Sequence, residues 1–414
     1  MTNGFESVPA RWRMSRLDRV ATVNARIGWK ALTAAEYQPE GYAFLATPNI
    51  KNPQIDYRNV NYISEFRYEE SPELKLREGD VLLAKDGNTL GIVNLVRDLP
   101  RPATVNGSIA VLRSYGIHPA YLRYVIASNV MQGHIGAVKD GMGVPHLFQR
   151  DIKRFSIPLP PEEEQCRIVN FLDAEVGKIN SLVAKKLEIL SLLEERIDSR
   201  ILGHIGASQL VNSASGLTVR PIRRLLTKVS RPAAPTEEVI TAFRDGQVTA
   251  RSLRRADGYT LSASTDAQGQ HVEVDDVVIH GLDGFAGAIG MSEAAGNCSP
   301  VYHVCVPRNG GDPAFYGRLL RVLAVSEYLG LFATSTRERA VDFRSWDLFG
   351  AIPIPNVALR EQAEIGDWVR SVPPLRSKVE RSNALAVERR QALITAAVTG
   401  QFDVSTASGR GIED

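Results

Sequence analysis

Apolar residues recur every three or four positions across Ile168, Leu172, Val176, Ile179, Val183, Leu187, Leu190, Leu193, Ile197 and Ile201, a single stripe flanked by charge. That period predicts a long amphipathic helix. Pro160-Pro161 followed by Glu162-Glu163-Glu164 marks its start, because proline there loses no needed hydrogen bond and acids meet the positive end of the dipole. Gly203 and Gly206 mark its end. A weaker stripe, Leu375, Val379, Leu385 and Leu393, is interrupted by Asn383 and Arg389 and runs out near Gly400. Pro373-Pro374 is expected to break this second segment, since proline removes a backbone donor and clashes with the preceding turn. With the matching break placed near 173–177, each segment reads as a short helix, a break and a long helix, the long ones over about 177–202 and 375–399.

Elsewhere the apolar runs are shorter. Val81-Leu82-Leu83-Ala84 and Ile109-Ala110-Val111-Leu112 read as buried strands bounded by Gly79-Asp80 and Asn106-Gly107. Leu122, Val125 and Ile126 share one helical face between Pro119 and Asn129, and Gly133, Gly136, Gly141 and Gly143 read as turns. The same order returns downstream, with strands at Val277-Val278-Ile279 and Tyr302-His303-Val304-Cys305 and a helix from Pro313 to about Leu331.

The return is literal in places, about 195 residues on. Ile157-Pro158-Leu159-Pro160 reappears as Ile352-Pro353-Ile354-Pro355, and Glu164-Gln165 as Glu361-Gln362. Gly79-Asp80-Val81-Leu82 answers to Asp275-Asp276-Val277-Val278, His118-Pro119-Ala120-Tyr121 to Asp312-Pro313-Ala314-Phe315, and Phe148 to Phe343. The period is too long for a solenoid and is domain-sized. The expected organisation is a domain over 1–156, a helical region over 157–205, a second domain over 206–351, a second helical region over 352–402, and a disordered tail over 403–414. The stretch from Gly203 to Leu217 reads as a linker. The fold class is α+β: two mixed α/β domains joined by two long helices packed as an antiparallel coiled coil, with an internal pseudo-two-fold repeat. At ~1.5 Å per residue a 25-residue helix is ~38 Å long, close to the roughly 34–36 Å of one duplex turn.

Charge adds a partner class. The 414 residues carry a net +2, but residues 1–155 hold 20 Lys+Arg against 15 Asp+Glu, while residues 206–355 hold 15 of each. Both domains open on a basic run: Arg11, Arg13, Arg16, Arg19 and Arg26 in the first, Arg220, Arg223, Arg224, Lys228 and Arg231 in the second. A matched basic entry suggests a polyanionic partner; two solvated faces are the plainer alternative. There is no apolar leader and no 18-residue apolar run, so a cytoplasmic protein without membrane association is expected. Three cysteines cannot build a disulfide framework.

Motifs for catalysis are absent: there is no phosphate-binding Gly-rich loop ending in Lys-Ser or Lys-Thr, no His-Glu-x-x-His and no Gly-x-Ser-x-Gly. Asp56 with Glu73-Leu74-Lys75 loosely imitates a nuclease metal site, and Cys298, His303 and Cys305 sit close together without a second ligand pair. His146 reads either as a DNA or loop contact or as a hydrogen-bonded structural histidine.

Taken together these residues resemble the specificity subunits of type I restriction–modification systems. The resemblance is carried by Ile157-Pro-Leu-Pro-Pro161, Glu164-Gln165, Arg167-Ile168-Val169, Phe171-Leu172-Asp173, Ile179, Leu182, Ala184-Lys185-Lys186, Leu193 and Glu195-Arg196. The second copy carries it through Ile352-Pro-Ile-Pro355, Glu361-Gln362, Arg389-Arg390-Gln391-Ala392-Leu393-Ile394 and Ala397-Val398-Thr399-Gly400, departing at Asn356 and by two extra residues before Glu361. It implies that each globular domain is a target recognition domain reading one half of a bipartite, asymmetric sequence in double-stranded DNA. It implies helices that set the spacer and dock adenine-methylating modification subunits, and a restriction subunit that joins them. S-adenosylmethionine, ATP and Mg are then expected in the partners, with no cofactor, metal or catalysis in this chain. The alternatives are a related system whose partner fuses methylation and cleavage, a protein-interaction scaffold with no DNA role, and a stand-alone nuclease resting on Asp56 and Glu73.

For DNA contacts the candidates are polar residues in turns: Lys85, Asn88, Thr89, Asn106, Ser108, Lys139, His146, Gln149 and Arg150, with Arg337, Arg339 and Arg344 in the second domain. For partner docking they are Leu182, Ile189 and Leu192, which widen the first helical stripe beyond what one partner helix covers.

Overall fold

The computed structural model describes residues 5, 8–26, 32–139, 145–205, 219–234, 237–254, 269–332 and 343–404. The expected tail from 405 onward and most of the expected linker lie outside the described residues. The chain forms two compact units, Met1–Ala184 with Ser382–Asp414, and Lys185–Arg381.

Each unit is built on a four-stranded antiparallel sheet of one topology. In the first unit the order is Ala21–Ala25, Ile109–Ser114, Val81–Ala84, Val93–Leu95; in the second it is Leu226–Val229, Tyr302–Pro307, Val277–His280, Ile289–Met291. The register pairs Leu82 with Val111 and Val278 with Val304. Side chains alternate across a strand, so each central strand feeds two cores. Val81, Leu83, Ala110 and Leu112 face the core shared with the Pro119–Ala127 helix, and Leu82, Ala84, Ile109 and Val111 face a second cluster. In the second unit Val277 and Ile279 join the core holding the Pro313–Val325 helix, while Val278 and Val304 join the other.

The repeated motifs do the same work twice. Each Ile-Pro segment is a strand that closes its unit against the entering chain: Met14 pairs with Pro158 and Arg220 with Ile354. The repeated aspartate turns the chain into the central strand, Asp80 accepting from Arg77 N at 2.8 Å and Asp276 from Glu273 N at 2.7 Å. Both carboxylates are buried and each is answered by an arginine, Arg113 or Arg231. The repeated glutamine joins a long helix to its domain. Gln165 accepts from His118 N at 2.8 Å and donates to Pro160 O at 2.9 Å; Gln362 accepts from Asp312 N at 3.1 Å and donates to Val357 O at 2.7 Å.

The two long helices are Glu162–Ile205 and Leu359–Thr399. Both are continuous, and the expected breaks do not occur. Pro373 and Pro374 lie inside the second helix. Their fixed φ is itself helical, so the penalty is the lost donor and the local clash. Packing of the preceding turn overrides it: Val372 is buried, Trp368 and Val369 pack on the core, and Arg200 lies 4.7 Å over the Trp368 ring. In the first helix the expected break site is pinned instead, with Val176 buried and Asp173 bonded to Tyr124 and Arg97. Each unit holds a stretch of both helices, and in each the stretches run antiparallel. Arg390 bonds Asn180 in the first, while in the second Arg376 pairs with Glu194 and Arg200 with Glu364.

Two shorter expectations also change. Gly133 and Gly136 lie in the helix Asn129–Val138, not in turns. Ser128 caps that helix by accepting from Met131 N, and Met131 and Ile135 are buried one turn apart. The helix expected from Pro313 to Leu331 ends at Val325 and is followed by a short 3-10 turn, Leu329–Phe332.

Candidate nucleic-acid interface

Most of the polar turn residues of the first domain meet at one end of its four-stranded sheet. The Val81–Ala84 strand runs out into Lys85-Asp86, the Ile109–Ser114 strand starts after Asn106-Gly107-Ser108, and residues 145–150 cross beside both. Backbone bonds stitch the loops together: Lys85 N to Ser108 O at 2.8 Å, Leu147 N to Lys85 O at 2.9 Å, and Gly87 N, from a φ of 70°, to Pro145 O at 2.9 Å. Asn106 Oδ1 accepts from Ser108 N at 3.1 Å, and the Thr89 hydroxyl donates to Asp86 O at 3.1 Å.

Within the cluster, His146 Nδ1 meets one oxygen of Asp86 while Lys85 Nζ lies 3.1 Å from the other. Lys85 is only 7% exposed, so its ammonium is committed to Asp86 and forms the floor of the cluster. Gln149 is likewise engaged, donating to Val23 O. The outward groups are Asn88, Phe148 and Arg150. The Arg150 guanidinium lies 4.6 Å over the Phe148 ring, and His146 approaches that ring edge-on at 4.5 Å. A planar cation held on an aromatic face beside an imidazole offers donors suited to phosphate and to guanine edges. Lys139 is exposed at the end of the Asn129–Val138 helix; among the described residues, no side-chain bond joins it to this cluster.

In the second unit the corresponding turn carries different residues. His280 Nδ1 accepts from Leu282 N at 3.1 Å and Asp283 N at 3.0 Å, and its ring meets Tyr302 edge-on at 4.5 Å. Burial pushes the His280 imidazole below its usual pKa, a shift opposed by Asp283. Arg244 donates to Asp283 at 2.9 Å, and these groups with Arg254 line a cavity of about 530 Å³. Arg344 is exposed beside Gly281, where an added Cβ would lie 2.5 Å from Val301 O. Arg337 and Arg339 lie outside the described residues. Arg244, His280 and Asp283 escape the sequence reading; the signal for them is that Gly281-Leu282-Asp283 follows its central strand as Lys85-Asp86-Gly87 follows the other.

Part of the basic entry runs is occupied within the protein: three of the five residues of the first run and Arg231 of the second. Arg11 pairs with Glu164 at 2.7 Å, Arg16 pairs with Asp18, and Arg231 pairs with Asp276. Arg26 is buried, donating to Val105 O and Ser71 Oγ at 3.4 Å each. The Asp56 carboxylate is taken up by its own turn, accepting from Asn59 Nδ2 and Arg58 N at 2.8 Å, and Lys75 pairs with Glu69. Cys298 and Cys305 are buried, with burial pushing the Cys298 thiol up to about 12, and His303 Nε2 bonds Phe343 O at 2.6 Å. On the first long helix Leu182, Ile189 and Leu192 are exposed, and so is Leu187, which the periodicity assigned to the buried stripe. Among the described residues no helix is long and apolar enough to cross a membrane.

Residues 9–191 match the family described as type I restriction modification DNA specificity domain. Over 200 residues the chain is 21% identical to the type I restriction enzyme MjaVIII specificity subunit of Methanocaldococcus jannaschii, covering 47% of this chain and 46% of that one. Over 274 residues it is 20% identical to the type I restriction enzyme EcoKI specificity subunit of Escherichia coli K12, covering 65% and 57%. The chain thus spans about half the length of the curated relatives it matches. Among solved structures, one described as the structural basis underlying complex assembly and conformational transition of the type I R-M system aligns with a TM-score of 0.61 at 16% identity, covering 95% of this chain and 99% of that one. The likeness places the two mixed units and their long helices in that fold.

Proposed function

We propose, from the match of residues 9–191 to the type I restriction modification DNA specificity domain family, that the whole protein is the sequence-specific DNA recognition subunit of a type I restriction–modification complex. Each unit reads one half of a bipartite, asymmetric duplex target. The chain itself is non-catalytic and acts in the cytoplasm. Modification subunits bring S-adenosylmethionine and methylate adenine; restriction subunits bring ATP- and Mg-dependent cleavage.

The observation that carries this reading is the repeat. Two units with sheets of one topology are each closed by an Ile-Pro strand paired with the entering chain and each tied by a buried glutamine to a long helix. Such a chain presents two different loop sets on a common support. In the first unit, Asn88, Thr89, Asn106, Ser108, His146 and Arg150 are proposed to face the duplex. Lys85 and Gln149 brace that surface, and Lys139 contacts phosphate beside it. In the second unit Arg344, Arg337 and Arg339 take the phosphate-contacting part. Phosphate contacts position such a protein, and base-edge contacts specify its target. Leu182, Ile189 and Leu192 are proposed to meet the modification subunits.

Mapping methylated adenines genome-wide, with the native gene and with residues 1–156 replaced by a homologous domain, tests the reading. One half of the methylated motif should change and the other should persist. A change in both halves, or no change, would refute independent half-site reading.

A further inference from the structure

A cleft in the first unit lies where the Val93–Leu95 strand meets the Pro119–Ala127 helix and the stretches of the long helices. It measures about 440 Å³ and is lined by three cations, Lys51, Arg123 and Arg390, and by amides including Asn180, Gln132 and Gln391. Among the described residues no carboxylate lines it. Arg390 donates to the neutral Asn180 Oδ1 at 2.9 Å. Arg123 is half-buried with its guanidinium 4.6 Å from the Tyr124 ring. The carboxylate that acts on it, Asp173, already accepts from Tyr124 OH at 2.6 Å and from Arg97 at 3.1 and 3.3 Å. Burial pushes the Arg123 guanidinium down from its usual range, as expected of a cation withdrawn from water without full compensation.

The second unit has a cleft at the matching place, bounded by the Ile289–Met291 strand and the Pro313–Val325 helix, with Pro373 where Val176 stands in the first, counted from the repeated Glu-Gln pair. Its volume is about 320 Å³. There the protein answers most of its own cations; Arg321, whose buried Nε has no hydrogen-bond partner, comes only within 3.9 Å of Asp198. Arg318 pairs with Asp198 at 2.6 Å, Arg370 with Asp312 at 2.8 Å, and Arg376 with Glu194 and with Asp245 at 3.5 Å. Asp245 and Glu293 are part of the wall. The repeat therefore builds one cleft twice, lines one copy with carboxylates that pair most of its cations, and leaves three cations facing neutral amides in the other.

We propose that the first-unit cleft binds a phosphate-bearing anion, held by Lys51, Arg123 and Arg390. A guanidinium matches a phosphate with two parallel hydrogen bonds, and side-chain amides add neutral donors. The volume lies within the range of small-molecule sites. Two sources present the same group, a free phosphorylated small molecule and the backbone of bound DNA.

Calorimetric titration of the full-length chain with pyrophosphate, at fixed ionic strength in chloride, tests this. One binding event is expected. Arg123→Gln should weaken it by about tenfold or more, and Lys51→Gln should weaken it as well. Asn180→Asp places a counter-charge beside Arg390, as the second unit does for its own arginines. It should weaken pyrophosphate binding comparably while leaving the ligand-free thermal midpoint unchanged or raised, which separates lost binding from lost folding. If DNA supplies the phosphate, Asn180→Asp also lowers duplex affinity and flattens its salt dependence by about one charge. If a small molecule does, duplex affinity stays the same. No heat with pyrophosphate, or one affinity across wild type, Arg123→Gln and Asn180→Asp, would overturn the proposal.

Discussion

Replacing Gln165 tests how the long helix is joined to the first domain. Its side chain is 4% exposed and makes two bonds, accepting from His118 N at 2.8 Å and donating to Pro160 O at 2.9 Å. Gln165→Ala removes both and strands a backbone donor and an acceptor in a largely dry joint. A net hydrogen bond contributes about 1 kcal/mol, and leaving a buried partner unsatisfied costs about 1–3 kcal/mol. Each lost methylene adds about 0.8 kcal/mol. The expected loss is about 3 kcal/mol, confined to the first unit. Gln165→Met keeps the methylenes and loses the bonds, so it should cost about 2 kcal/mol. The assay is urea unfolding followed by circular dichroism, with hydrogen exchange read on the peptide containing the His118 amide. That amide should lose protection in both variants, while the segment around Asp312 keeps its own. A loss below ~0.5 kcal/mol, or unchanged exchange at His118, would show that the repeated Glu-Gln pair serves some purpose other than this joint.

Inserting four residues after Glu188, about one helical turn, should lengthen the spacer of the methylated motif without changing the bases read; an unchanged spacer in an active complex would separate the helix from that distance. Arg150→Ala and Arg344→Ala should each lower duplex affinity about equally for all sequences and reduce the salt slope by about one, measured by fluorescence anisotropy across a salt series. A selective loss at one base position would instead mark the arginine as a base reader. Ile189→Ser with Leu192→Ser, at positions 59% and 55% exposed, should leave the thermal midpoint unchanged. The same double change should weaken capture of a modification subunit by roughly tenfold or more, at about 1.5–3 kcal/mol for each apolar side chain buried; equal capture would place the docking face elsewhere.

What sequence made legible was whatever rested on local period. Ile168, Leu172 and Val176 are buried as their spacing requires, and so are Ile197 and Ile201, while the paired central strands appear where Val81-Leu82-Leu83-Ala84 and Val277-Val278-Ile279 stand. Tertiary packing decided the rest. Pro373-Pro374 carries the local signal of a helix end, yet the burial of Val372 and the stacking on Trp368 keep the helix whole. Lys85 has the composition of a surface contact, but Asp86 and the return of residues 145–147 enclose it. Arg244 and Asp283 are distant in sequence and carry no shared motif, so their pairing appears only once the fold brings the loops together. Resemblance supplied what period could not, a family reading for the repeated Ile-Pro and Glu-Gln segments, and their role as joints appears only in the structure.

The first unit is assembled from the beginning and the end of the chain. Phe5, Trp12, Ile168 and Leu172 share one core with Ile394, Ala397 and Val398, and an added Cβ at Gly400 would collide with Pro9. The second unit, 185–381, is continuous. On a ribosome, the second unit therefore has its whole sequence first, while the first waits for its last helix. Nearly two hundred residues at about 5–20 residues per second amounts to roughly 10–40 s. Throughout that interval the early helix lacks the part of its cover that Ile394, Ala397 and Val398 supply. Newly made chains are therefore most exposed to aggregation and proteolysis within residues 1–184, although in the finished molecule many of their apolar side chains are fully buried.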